Sequence, residues 1–174
     1  DFAQVVASHA GIGVARQLDL EPLLSTCAWQ FDMDQGSVFF QPEGKSANDA
    51  FGSPCQLLGT ESEETNTWLW GWANVDSEIP EALLKAALRL RSFGMEHAIP
   101  ELTEPSLPVD QMDGHLLAAA AVGLFDMPGY YRGPYPGGAL YMLLESPIPS
   151  IDRAHTSSRY VDVLSYIITH TPHH

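Results

Sequence analysis

The residues able to do chemistry are scattered, and each group meets an obstacle in its own spacing. Cys27 is a candidate nucleophile, with His9, His97 or His115 as its base. No local signature surrounds it, and its period puts it on one face with Trp29 and Phe31, which reads as a structural thiol. Asp110, Asp113 and His115 are candidate metal ligands. On a helix, however, His115 falls about 200° round from Asp113, and capping of a helix start by Asp110, aided by Asp113, is the simpler account. Gly44-Lys45-Ser46 has the ending of a phosphate-binding loop, but the position needing the first glycine is Phe39. Asp32-Met33-Asp34-Gln35-Gly36 with Glu43 outlines a calcium loop, yet Ser37 stands where the essential glycine belongs, so a hairpin turn is expected. Gly11-Ile12-Gly13 lies inside a helical pattern and lacks the third glycine of a dinucleotide fingerprint. His170, His173 and His174 form a histidine-rich tail of the kind that binds transition metals or is left by expression tags. No metal site and no cofactor is assigned from these residues.

Binding candidates are better defined. In the aromatic, glycine- and proline-rich segment Tyr130–Tyr141, Tyr131, Arg132 and Tyr135 sit beside the turn Gly133-Pro134-Tyr135-Pro136-Gly137-Gly138, and Tyr and Arg are enriched at binding hot spots. The bland counterpart is a β-hairpin whose tyrosines cover the edge of the core. Trp68, Trp70 and Trp72 recur at every second residue, so they share one face of a strand and cannot share a helix face. They are expected either to line a groove between sheet and helix or to fill the core.

These residues need a scaffold, and the pattern predicts an α+β one. Residues 2 to about 20 read as a helix weakened by Gly11 and Gly13 and stopped at Pro22. Thr26–Met33 and Ser37–Gln41 alternate as a hairpin. A strand near Pro54–Thr60 follows, and an acidic turn then leads into the tryptophan strand, completing an antiparallel meander. Pro80–Phe93 is the clearest helix, with Leu83, Leu84, Ala87, Leu88 and Leu90 as its stripe and Gly94 as a left-handed stop. It is the expected cover for the indole face. A helix from Asp110 to about Phe125 has an Ala118–Ala121 run that permits close backbone approach. Gly129–Arg132 and Ala139–Glu145 read as strands, and Ser157 or Ser158 caps a last amphipathic helix. The expected order is α-β-β-β-β-α-α-β-β-α, an antiparallel meander sheet covered by helices. It forms a single domain over residues 1–174, with 150–174 a helical appendage.

Composition narrows the function classes. The 174 residues are 45% hydrophobic and 17% charged, an ordinary globular balance. Eight Lys plus Arg face twenty-two Asp plus Glu, a net −14. Such a charge repels a phosphate backbone, so nucleic acid is not an expected partner; a basic protein surface or plain solubility suits it better. No apolar run approaches the ~20 residues of a membrane span. Two cysteines do not make a disulfide framework, although Cys27 and Cys55 could fall on neighbouring strands. No charged-then-apolar leader opens the chain, although it begins at Asp1 and its start is open to trimming. A cytoplasmic setting and a monomer or homodimer are expected.

The run Trp68-Leu69-Trp70-Gly71-Trp72-Ala73-Asn74, then Pro80 and a helix ending at Phe93-Gly94, resembles a bacterial domain-of-unknown-function family, number 6882. Gly129-Tyr130-Tyr131-Arg132 resembles it too. The similarity spans about residues 1 to 146. It supports the architecture and implies no activity. The expected function is therefore non-catalytic binding, immunity-like or adaptor-like, toward a protein partner of basic character or a small ligand. The alternative is a small hydrolase in which His97 or His115 meets a carboxylate in a sheet–helix cleft.

Overall fold

The computed structural model describes residues 1–148, and over them the chain is α+β with an antiparallel sheet. The predicted last helix and the histidine tail lie outside the described residues. Helix α1 (Phe2–Leu24) is capped by Asp1, whose side chain accepts from the Gln4 amide at 2.8 Å. It runs past Pro22, where a stop was expected. A proline deletes only the one bond its own amide would make, and near a helix end little remains to lose. The Ser25 amide still reaches the Glu21 carbonyl at 2.9 Å.

Strands β1 (Cys27–Asp32) and β2 (Ser37–Pro42) form the predicted hairpin, with Trp29 opposite Phe40. Strand β3 (Phe51–Ser62) is the twelve-residue spine. Its first residues pair with β2, and Gly59–Ser62 pair with β4 (Thr67–Trp70). Along Cys55–Ser62 it also pairs with β7 (Gly138–Leu144), which carries β6 (Gly129–Tyr135) on its other side. β2 separates β1 from β3, so Cys27 and Cys55 are not on neighbouring strands, and both are free thiols.

Three expectations need correction. The tryptophan strand ends at Trp70, and Gly71–Ala73 turns into a 3-10 helix. A side chain on Gly71 would meet Leu84 at 2.9 Å and the Leu57 and Leu58 carbonyls at 3.3 Å, so the bare backbone bends away beneath the next helix. That helix, α2 (Lys85–His97), begins after a separate 3-10 turn at Glu81–Leu83 and contains Gly94. Gly94 serves packing: a Cβ there would lie 2.5 Å from that of Leu102. The left-handed stop is Ala98, at φ 52°. Finally, the segment after α2, for which the expected order holds no strand, contains an edge strand, β5 (Ser106–Pro108), paired with β4; three residues are too few to show a period.

Helix α3 (Gly114–Phe125) lies antiparallel on α1. A Cβ on Gly13 would come 2.0 Å from the Ala119 carbonyl oxygen, and one on Gly123 equally close to that of His9. The glycine that weakens α1 as an isolated helix is what lets α3 touch it. The alanine run of α3 gives the close approach expected of it.

The sheet has a core on each face. Leu58, Trp68, Trp70, Tyr130, Tyr141 and Leu143 pack with residues of α1, α2 and α3, as the indole cover predicted. On the other face the β1–β2 hairpin contributes Val38 and Phe40 to a cluster with Cys55, Leu57, Tyr131, Met142 and Leu144. The Leu57 and Leu58 side chains enter different cores at a register shift in β3. Trp29 and Phe40 both meet Tyr131 edge-on, at 5.7 and 4.8 Å, so the first hairpin curls back over β6.

Candidate functional site

Strand register brings four polar side chains to one end of the helix-covered face. Tyr141 stands directly opposite Arg132 in the β6–β7 ladder. Glu61 is paired with Ala139, two residues from Tyr141, hence diagonal to it on the same face. Tyr130 precedes Arg132 by two and shares that face. Against this group comes the start of α3, capped by Asp113, whose carboxylate accepts from the amides of His115 (2.8 Å) and Leu116 (3.1 Å). Asp110, the expected cap, is exposed. Gly114 permits the approach, since a Cβ there would stand 2.6 Å from the Tyr141 ring and 2.7 Å from a Glu61 carboxylate oxygen.

The contacts form a closed set. The Arg132 Nε donates to the Tyr141 hydroxyl at 3.2 Å and lies 3.6 Å from the Glu61 carboxylate. The Tyr141 hydroxyl bonds Glu61 in turn. The His115 Nδ1 and the Tyr130 hydroxyl are 3.0 Å apart, and the imidazole stands edge-on to Tyr141 at 5.4 Å. Burial, then the charge of Glu61, pushes the Tyr141 phenol far up, so it stays protonated. Burial pushes His115 down and Arg132 adds to this, against the opposing pull of Asp113, Glu61 and Glu21. A neutral imidazole beside two phenols and a carboxylate is a proton-handling set in kind. Here each member is hydrogen-bonded or ion-paired to another. Among the described residues no three His, Cys, Asp or Glu side chains come together as a metal-ligand set.

Around this cluster three loops meet. The Glu63 amide bonds the Gly137 carbonyl at 2.9 Å, and the Val109 amide bonds that of Asn66 at 3.1 Å. The β3–β4 turn, the β6–β7 turn and the segment after β5 therefore share one end of the sheet. Glu63, Glu64 and Asp110 are exposed there, Asp113 is half-buried, and Tyr135 is 40% exposed.

The sequence-predicted residues part company. Tyr131 turns to the opposite face from Arg132 and is buried under Trp29 and Phe40, with burial pushing its hydroxyl to about 12. Tyr135 sits at the turn. Trp68 and Trp70 are fully buried, and the Trp70 indole donates to the Glu101 carbonyl at 3.2 Å. The Trp68 indole N–H has no partner among the described residues. Trp72, off the strand, stacks on Trp70 at 6.3 Å. His97 is exposed at the end of α2, bonded to the Phe93 carbonyl, and His9 bonds that of Val5. Of the three candidate bases, His115 has acidic neighbours: Asp113, Glu61 and Glu21 act on it by charge. Burial raises the thiol of Cys27, which bonds the Leu23 carbonyl at 3.4 Å. Glu61 was not singled out by sequence, and Tyr130 and Tyr141 only as the ends of the aromatic segment; polar atoms on an otherwise apolar alternating face are the available signal. One cavity, about 60 Å³, lies elsewhere, lined by Arg16, Asp19, Leu20, Pro128, Leu144, Pro147 and Ile148. It is well below the ~300 Å³ at which ligand pockets begin.

No helix of the described residues is long and apolar enough to cross a membrane. A family model described as a family of unknown function (DUF6882) matches residues 3–147. The chain belongs to that family. No curated protein and no solved structure matches it.

Proposed function

We propose that this chain is a non-catalytic interaction domain, of the immunity or adaptor kind, that receives a basic segment of a partner protein at the acidic end of its sheet. One observation carries the reading: Glu63, Glu64, Asp110 and Asp113 lie on the turns and the helix start that meet at this end of the sheet, where Arg132 is already paired with Glu61. The local field is therefore negative, and the neutral His115 does not offset it. A concentration of one charge sign steers an oppositely charged partner and suppresses wrong ones. Tyr135 supplies an exposed aromatic beside the carboxylates, and the Glu61–Arg132–Tyr141 contacts hold the end in one shape, which lowers the ordering cost of binding.

The test is affinity capture from the host lysate with the protein immobilised by its N-terminus. The comparison bait carries Glu63→Lys, Glu64→Lys and Asp110→Lys. A partner of basic surface should be retained by the unaltered chain, released by salt and lost from the triple variant. Equal retention by both baits would overturn the assignment of this end. Tyr131→Ala is unsuitable as a binding probe, because that side chain is core.

A further inference from the structure

Helix α2 carries an unusual use of charge. The described residues hold six lysines and arginines, and three of them, Lys85, Arg89 and Arg91, lie on this one helix, all exposed. Arg16 pairs with Asp126 at 2.7 Å and Arg132 with Glu61. The three on α2 pair with no carboxylate among the described residues, in a chain that has twenty-two. Two of them are instead laid on aromatic rings: the Arg89 guanidinium is 4.2 Å from the Phe125 centroid, and that of Arg91 is 4.2 Å from Trp72. Stacking fixes the plane of a guanidinium while leaving its N–H edges to solvent, the geometry that meets a carboxylate through two bonds.

The rest of the face suits a peptide. By the 3.6-residue period, Lys85, Leu88 and Ser92 run up the side opposite the buried Ala86, Ala87, Leu90 and Gly94. Arg91 and Met95 form one flank and Arg89 the other. Met95 is 69% exposed, and Val75, in the segment after Trp72, is 77% exposed. Glu96 is the carboxylate on this face.

We infer that the exposed face of α2 is a second interaction surface, which binds a short acidic peptide segment of a partner protein. Its carboxylates meet Arg89, Arg91 and Lys85, and an apolar side chain between them rests on Leu88 and Met95. Charge complementarity selects the occupant. A net −14 repels a long polyanion, whereas a segment of a few carboxylates feels chiefly the local cations within a Debye length of ~10 Å. This surface is distinct from the acidic end proposed above, and it requires an oppositely charged ligand.

The test uses the whole chain and a fluorescein-labelled decapeptide of alternating Glu and Leu, with binding followed by fluorescence anisotropy and amide chemical shifts. Shifts should concentrate on residues 85–96 and on the Trp72 indole. Arg89→Gln/Arg91→Gln should weaken binding about tenfold or more, the loss expected of two charge-assisted contacts. Arg89→Lys/Arg91→Lys should fall between, and Lys45→Gln, an exposed cation on the β2–β3 loop, should change nothing. Circular dichroism of each variant separates lost binding from lost fold. Unchanged affinity in the folded double Gln variant, no binding at all, or equal binding of a single-stranded oligonucleotide or of anionic lipid vesicles would each overturn the inference. Glu63→Lys/Glu64→Lys should leave peptide binding at α2 intact, so failure of one surface is distinguishable from failure of the other.

Discussion

Gly11 and Gly13 stand two residues apart on α1, and an alanine at each should move stability in opposite directions. Alanine is favoured over glycine in a helix interior by ~0.8–1.0 kcal/mol. At Gly11 an added Cβ meets nothing within 4 Å, so Gly11→Ala should realise that gain, about 1 kcal/mol. At Gly13 the same Cβ would stand 2.0 Å from the Ala119 carbonyl oxygen and 2.5 Å from its Cα. Both are backbone atoms and cannot swing aside. Ordinary contact begins at 3.4 Å, so α3 would have to retreat by about 1.4 Å along a seam that includes Val6, Ala10, Val14 and Val122. Overpacking of this sort costs ~1–3 kcal/mol, and a backbone-on-backbone clash belongs at the upper end. After the propensity gain is subtracted, Gly13→Ala should destabilise by about 2 kcal/mol. The two variants then differ by about 3 kcal/mol, or ~1–3 M in urea midpoint at a slope of ~1–3 kcal/mol/M. Tryptophan fluorescence across a urea titration reads this directly. If Gly13→Ala proves as stable as Gly11→Ala, the helices do not cross at that residue, and the account of the α1–α3 seam fails.

Further outcomes follow from the site and the cores. Asp113→Ala should cost about 1 kcal/mol through loss of its bonds to two amides, while Asp110→Ala should stay within ~0.5 kcal/mol; the same urea titration separates them. His115 is held below its ordinary 6.5, so the unfolded chain takes up its proton at higher pH than the folded one. The stability this group contributes is complete above about pH 6.5 and falls as pH drops toward the folded value. His115→Gln should flatten that part of a stability–pH curve, and an unchanged slope would remove the imidazole from the account. Burial, then Glu145, pushes the Cys55 thiol to about 12, so in a native-state titration with an aromatic disulfide reagent Cys55 should react only on unfolding. Tyr131→Ala should destabilise by ~3–5 kcal/mol, as for other large core truncations, and Tyr135→Ala by less than ~0.5 kcal/mol, read by thermal melts.

The fold was legible wherever a period ran long enough to repeat. Cys27–Asp32 and Ser37–Pro42 alternate over six residues each and pair as predicted. The Trp68–Trp70 pair marks the strand beneath α2, but of that helix's predicted stripe only Ala87 and Leu90 are buried within it: Leu83 and Leu84 precede the helix, and Leu88 turns to its outer side because the true stripe runs through Ala86, Ala87, Leu90 and Gly94. Errors fall where one residue type serves two purposes. Gly94 reads as a helix stop because glycine tolerates a left-handed turn, but here its missing Cβ admits Leu102 and the turn falls on Ala98. Gly13 reads as a weakness for the same reason, and only the partner helix reveals its use. Trp72 keeps the two-residue period of its neighbours although the backbone leaves the strand at Gly71. A period in sequence does not say where a chain bends to pass under a helix.

The polar cluster was illegible for a different reason. Glu61, His115, Tyr130, Arg132 and Tyr141 come from four elements, and what joins them is register: Arg132 opposite Tyr141, Ala139 opposite Glu61. A slip of one residue in the β6–β7 ladder would part Arg132 from Tyr141, while a slip in the β3–β7 ladder would carry Tyr141, and Arg132 with it, to the Phe40 side and away from Glu61. Conversely, once formed, the closed set disfavours that slip, because the slipped sheet would bury a phenol and a guanidinium against Val38 and Leu57. The ion pair is half-shielded, with side-chain exposures of 32% for Arg132 and 14% for Glu61, so its net worth in stability is modest by comparison with the core. Its physical role is to fix which face β6 and β7 present. That in turn places Tyr131 beneath the first hairpin and Tyr135 at the tip, at the end of the sheet where the carboxylate-bearing turns meet.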